Sequence, residues 1–240
     1  MKSAPLILLA PSEDKVPGGA KGRLAETPAQ RWVRGRLVAL AKTGTTETLK
    51  QAFGVKNLGL DRARTEALAL TGPVPLLPAL SRYTGVAFQA LDAASLPAGV
   101  WTQVFILSNL RGLVRGDEPV PPYKLKLAAI PGLRAHWREA LPRQLASIPE
   151  GPLWELLPGD SSSLLKGWTR PRHTVEIFDG CGKAVNHFSK KYRGLVARWI
   201  LTHQEGDPCR VLKGHIPGCR WSGVVENDIG GMNLRLVVDP

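Results

Sequence analysis

Residues 187 to 201, HFSKKYRGLVARWIL, decide how this chain is read. At 100° per residue Tyr192, Leu195, Val196, Trp199 and Ile200 fall on one side of a helix, while Lys190, Lys191, Arg193 and Arg198 fall on the other. No acidic residue stands between Asp179 and Glu205. The basic face also carries Gly194 and Ala197. A mid-helix glycine costs about 0.5–1 kcal/mol relative to alanine, which a closely approaching anion would justify. Four cations around two small residues suit a phosphate, which needs both charge and room. A solvated outer face gives the same pattern, because most amphipathic helices bury one side only.

Working outward, Thr174 to Phe178 and the run to His187 predict a strand hairpin feeding this helix. Trp221 to Val225 and Leu234 to Val238, joined by NDIGG, predict a terminal β-hairpin within residues 219–240. Leu133 to Leu145 reads as a helix, Leu153 to Leu157 as a short strand, PGDSSS as a turn, and Trp101 to Leu107 as a buried strand. The prolines of RGDEPVPPYKLKL demand an extended run. Leu80 to Leu91 is mostly helical around RYTG. Thr46 to Phe53 and Leu60 to Leu70 form two short helices joined by GVKNLG, and Arg31 to Lys42 has helical spacing. Leu6 to Leu9 is a buried first strand, and residues 11–28 form the loop that leaves it. Strands interleaved with helices give a mixed α/β (α+β) class, in one domain over residues 1–240.

A 240-residue chain that is 43% hydrophobic can build a substantial core. Its net charge is +12, with fifteen cations against nine acids in residues 1–120 and seventeen against eleven in residues 121–240. The excess is built into the folded body and not carried on a tail. That distribution implies a polyanionic partner: nucleic acid first, then an anionic membrane or a small phosphorylated substrate. Three cysteines, Cys181, Cys209 and Cys219, show no CxxC spacing, so no disulfide framework is expected. His215 and Cys219, near Cys209, could be drawn as a zinc site, but Pro217 and Gly218 intervene and no second close pair exists, so no metal or other cofactor is expected. No run reaches the ~18 apolar residues of a membrane span, and the short apolar run before PSEDK has no cleavage site. A cytoplasmic protein without membrane contact is the expectation; oligomeric state is not legible.

Four co-linear blocks, LLAPSEDKVPGG, RYTGVAFQALDAASLP, ILSNLRGLVRGDEPVPPYKL and HFSKKYRGLVAR, resemble the YaaA family of bacterial peroxide-stress proteins, with the spacing between them preserved. The resemblance implies a compact single-domain fold peculiar to that family, with a positively charged cleft and a helix-hairpin-helix element that binds DNA. It also implies a place in the response to hydrogen peroxide, with protection of DNA and limitation of free intracellular iron. The hairpin would be residues 46–70, where Gly54 and Gly59 flank the turn and Lys50, Lys56, Arg62 and Arg64 lie close by. Backbone N–H groups of such a turn can hold a phosphate; a plain αα-hairpin packed on the core accounts for the same residues.

Ser12, Glu13 and Lys15 match the first block, Arg82 and Tyr83 the second, Ser108, Arg115, Tyr123 and Lys124 the third, and Lys190, Lys191, Arg193 and Arg198 the fourth. If the loops converge, Lys15, Arg82, Arg115, Lys124 and the helix cations line one cleft for several phosphates. One block departs. Where the family usually has a serine and, three residues on, a tyrosine, this chain has Pro158 and Ser161.

Two functions compete, and a third, iron or haem handling, has only scattered histidines behind it and ranks last. One is a DNA-binding protein of the peroxide-stress class, contacting backbone and not sequence. The other is an enzyme on a small anionic substrate, recruited from the same scaffold to a specialised pathway, with Ser12, Glu13, Tyr83, Lys124 and Ser161 as candidate polar lining. GxSxG, Walker A, HExxH and GxGxxG are all missing, so no catalytic motif selects the second.

Overall fold

The computed structural model describes residues 3–185 and 189–238. Its strands are β1 (Leu6–Leu9), β2 (Ala20–Gly22), β3 (Val74–Pro78), β4 (Val104–Ser108), β5 (Gly112–Arg115), β6 (Pro119–Val120), β7 (Leu153–Leu156), β8 (His173–Phe178), β9 (Cys219–Glu226) and β10 (Met232–Val238). The helices are α1 (Pro28–Thr43), α2 (Thr46–Phe53), α3 (Leu60–Ala69), α4 (Ala79–Arg82), α5 (Val86–Leu91), α6 (Leu133–Leu145), α7 (Gly159–Ser162), α8 (Ser189–His203) and α9 (Pro208–Val211). The class is mixed α/β. Two predicted details lie outside the described residues: the run to His187 with the start of the basic helix, and the last two residues of the terminal hairpin.

The chain groups into two compact units, each assembled from separate stretches. The first comprises residues 1–10, 85–105 and 148–240. In it β1 pairs in parallel with β7, β7 with β8, and β8 with β10, while β9 closes the sheet antiparallel to β10. Every residue of β1 and β7 is buried, as expected for strands covered on both faces. In β10 the buried Leu234, Leu236 and Val238 alternate with the exposed Arg235. Glu155, in the middle of β7, is buried and held by Arg172 Nε at 2.6 Å. Arg172 also donates to the carbonyls of Trp168 and Arg170, both at 3.0 Å, so the pair is hydrogen-bonded as a buried charge must be.

The second unit comprises residues 11–84 and 106–147. It holds a three-stranded sheet of order β2-β3-β6, and the end of β4 leads into β5. Helix α1 starts at a capping box: Thr27 Oγ1 accepts from Gln30 N–H at 3.3 Å, and Gln30 Oε1 accepts from Thr27 N–H at 3.0 Å. Thr45 caps α2 in the expected way, accepting from Thr48 N–H. Two expectations change here. The loop 11–28 contains β2, paired antiparallel to β3, and the helical stretch Leu80–Leu91 is two pieces, because Tyr83 is extended and bridges to Lys15.

Candidate functional site

Lys15, in the loop after β1, and Tyr83, just past α4, are held side by side in the second unit by the bridge between their main chains, and Val16 N–H donates to Arg82 O at 2.9 Å. The Lys15 ammonium donates to Ser12 O at 2.8 Å and lies 4.0 Å from the Tyr123 ring centroid and 5.1 Å from that of Tyr83. Burial, and then the neighbouring Lys124 ammonium, push its pKa down to about 7. At neutral pH a large share of Lys15 is therefore a free amine. Both phenols are almost fully buried. Burial pushes the titration of each upward, so they stay neutral donors.

Behind the amine runs a chain of hydroxyls. Tyr83 and Tyr123 are 3.0 Å apart through their OH groups, Tyr123 OH is 2.9 Å from Ser108 Oγ, and Ser108 Oγ accepts from Arg111 N–H at 3.2 Å. At the rim, Lys124 pairs with the exposed Asp14 at 3.1 Å. Ser12 Oγ donates to Asp14 O and accepts from Thr84 N–H at 3.2 Å, which orders the loop. Glu13 is exposed and presents its main-chain carbonyl to Lys15 at 3.5 Å. Ser12, Lys15, Tyr83 and Lys124 are thus brought together. Ser161 belongs to the first unit, in α7.

The expected phosphate-binding cations are dispersed in role. Arg82 is fully buried, and its donors are spent on the carbonyls of Val120 (3.0 Å), Gly18 (2.9 Å), Pro75 (3.1 Å) and Val16. It is a bracket that ties three segments together, with four of its five N–H groups on main-chain carbonyls. Arg115 is engaged by Asp117 through two bonds, of 2.5 and 2.9 Å. On α8, Arg198 donates to Leu91 O at 3.0 Å and Ser95 Oγ at 2.8 Å and pairs with Asp92 at 3.2 Å, so it closes the C-terminal end of α5. Arg193 donates to Ser189 Oγ at 2.9 Å, and burial pushes its pKa down. Lys190 and Lys191 remain exposed.

The room between the α8 cations is also filled. Gly194 and Ala197 are buried, and a Cβ at Gly194 would run into the Ala87 carbonyl oxygen and lie 2.8 Å from Ala90 Cβ. The small residues let α5 approach closely; they leave no space for an anion.

The α2–α3 turn differs. Gly54 ends α2 in the left-handed region (φ 66°), and Gly59 opens α3 at φ 103°. Lys56, Asn57, Leu58 and Gly59 are exposed, Leu58 at 96%. Among the described residues the main-chain N–H groups of these four have no acceptor. Lys126 runs over Gly54, and its own N–H donates to Ala52 O at 2.9 Å.

Two residues escaped the sequence reading. Asp14, the partner of Lys124, is one of three consecutive charged residues in PSEDK, and Arg111, whose main chain anchors Ser108, looks like any other arginine of its block. Only the proximity of distant segments singles them out. The cysteines form no cluster with His215: Cys219 is buried and donates through Sγ to Ile216 O, and Cys209 is exposed. Among the described residues no helix is long and apolar enough to cross a membrane.

Comparison with known proteins places these features in a lineage. Residues 6–221 match the family described as "Peroxide stress protein YaaA". A UPF0246 protein of Corynebacterium efficiens is 32% identical over 213 residues, covering 82% of this chain and 85% of the relative. A UPF0246 protein of Streptomyces coelicolor is 30% identical over 221 residues, covering 82% of each chain. An uncharacterized protein of Campylobacter jejuni is 26% identical over 207 residues, covering 79% of this chain and 82% of the relative.

Proposed function

Since the chain belongs to the peroxide stress protein YaaA family, we propose that it acts in the bacterial peroxide response by holding DNA through the phosphate backbone, with the α2–α3 turn as the point of contact. The observation that carries this reading is the turn itself. The four consecutive N–H groups of residues 56–59 have no acceptor among the described residues, Lys126 runs over Gly54 at the start of the turn, and a leucine is 96% exposed at the tip. Open amides with nearby cations match the needs of a phosphate oxygen. An exposed leucine has no packing role, but it suits insertion against a nucleic-acid groove. The two glycines supply conformations that other residues adopt only with strain.

The test is a titration with a labelled duplex at two salt concentrations. The wild type is expected to bind with a salt slope of about −2, at about 0.9 per phosphate contacted. The double variant Lys56→Ala/Leu58→Ser should bind about tenfold more weakly with a shallower slope. Equal binding by both proteins would reject the turn as the contact.

A second reading rests on Lys15. A half-neutral amine backed by two phenols is more than a phosphate clamp needs, and it suits proton transfer or nucleophilic attack on a small anionic substrate. Under that reading Lys15→Met abolishes turnover and leaves DNA affinity unchanged.

A further inference from the structure

Arg111 sits in the turn between β4 and β5, with its main chain fixed on both sides. Its N–H donates to Ser108 Oγ at 3.2 Å, and its carbonyl accepts from Gln30 Nε2 at 2.8 Å. The residue is only 9% exposed, yet Nε and Nη1 have no hydrogen-bond partner among the described residues. Nη2 reaches Ala25 O only at 3.5 Å. A guanidinium cannot escape burial by losing its proton. A buried cation with open donors is costly unless something pairs with it.

The cavity that Arg111 lines supplies the setting. It measures about 120 Å³ and is also walled by Arg23, Glu26, Arg34, Leu70 and Val74, all within the second unit. Glu26 is already taken by Arg34, at 2.8 and 3.0 Å. Three arginines against one glutamate leave the cavity wall with two excess positive charges, and Glu118 is the other carboxylate that acts on Arg111. That volume is room for one oxyanion.

We propose that this cavity binds a phosphate dianion, free or as the terminal group of a phosphate monoester, through the positive charges of the buried Arg111 and the exposed Arg23. A DNA backbone phosphate is a diester with a single charge, so the site goes beyond the DNA reading and does not depend on the α2–α3 turn. Arg23 is the exposed gatepost, Arg111 the buried floor, and Arg34 is held in place by Glu26.

Calorimetric titration of the full chain in chloride buffer tests this with two ligands: inorganic phosphate, and adenosine 5′-monophosphate set against adenosine. Binding of phosphate alone identifies a free-ion site, and binding of the monophosphate but not adenosine identifies a monoester site. Either supports the proposal if Arg111→Met and Arg23→Ala each weaken it about tenfold or more. Arg23→Ala removes an exposed side chain, so it keeps the test decisive even if Arg111→Met does not fold. The proposal is overturned if neither ligand binds the wild type, or if both variants bind as the wild type does. Loss of DNA binding in the turn variant with phosphate binding intact would separate this site from the turn.

Discussion

Helix α8 and the α2–α3 turn present the same pattern in sequence, glycine set among cations, and use it in opposite ways. At Gly194 the missing side chain is a steric requirement, because α5 occupies the space where a Cβ would go. At Gly59 nothing lies within 4 Å of such a Cβ, and the requirement is the positive φ, in a turn whose N–H groups from Lys56 to Gly59 have no acceptor among the described residues. A glycine between lysines is therefore not by itself the mark of an anion site. What decides is whether the freed space meets protein or solvent, and that is settled by segments far away in the chain.

The comparison can be broken by substitution. The largest effect is expected away from both glycines, at the bracket: Arg82→Met strands four carbonyls and should cost about 3 kcal/mol or more, read by chemical denaturation. Gly194→Ala forces α5 and α8 apart and should cost about 1–3 kcal/mol despite the better helix propensity of alanine. An unchanged melting temperature would mean that the helices do not touch there. Gly59→Ala meets no atom and should cost only about 1–2 kcal/mol through backbone strain, while weakening DNA binding.

Lys15 titrates at about 7 in the folded chain against 10.5 in the unfolded one. Between those values the unfolded state holds more protons, so stability rises with pH. The penalty is full below about pH 7 and fades toward 10.5. Lys15→Met should flatten that part of the pH–stability profile. A profile of unchanged slope would remove the case for a neutral amine.

Much of the fold was legible because local signals agreed with packing. Helix α6 runs over the residues predicted for it, and the terminal strands match their alternation. Strand β2 was not legible: Ala20, Lys21 and Gly22 carry no apolar pattern, and only pairing with β3 makes them a strand. The site was legible in its parts. Lys15, Tyr83 and Lys124 stood out as polar residues in loops, but nothing local places an amine over a phenol sixty-eight residues away. Arg82 shows the converse: a cation beside a tyrosine has the composition of a ligand site, and tertiary structure turns it into scaffold.

The most direct test of the account is to follow the backbone amide resonances of Lys56, Asn57, Leu58 and Gly59 while a DNA duplex is added. The account predicts that these four shift together with the same affinity and salt dependence as binding, while the amides of α8 move little. Shifts confined to α8, with the turn unperturbed, would contradict it and return the basic helix to the centre of function.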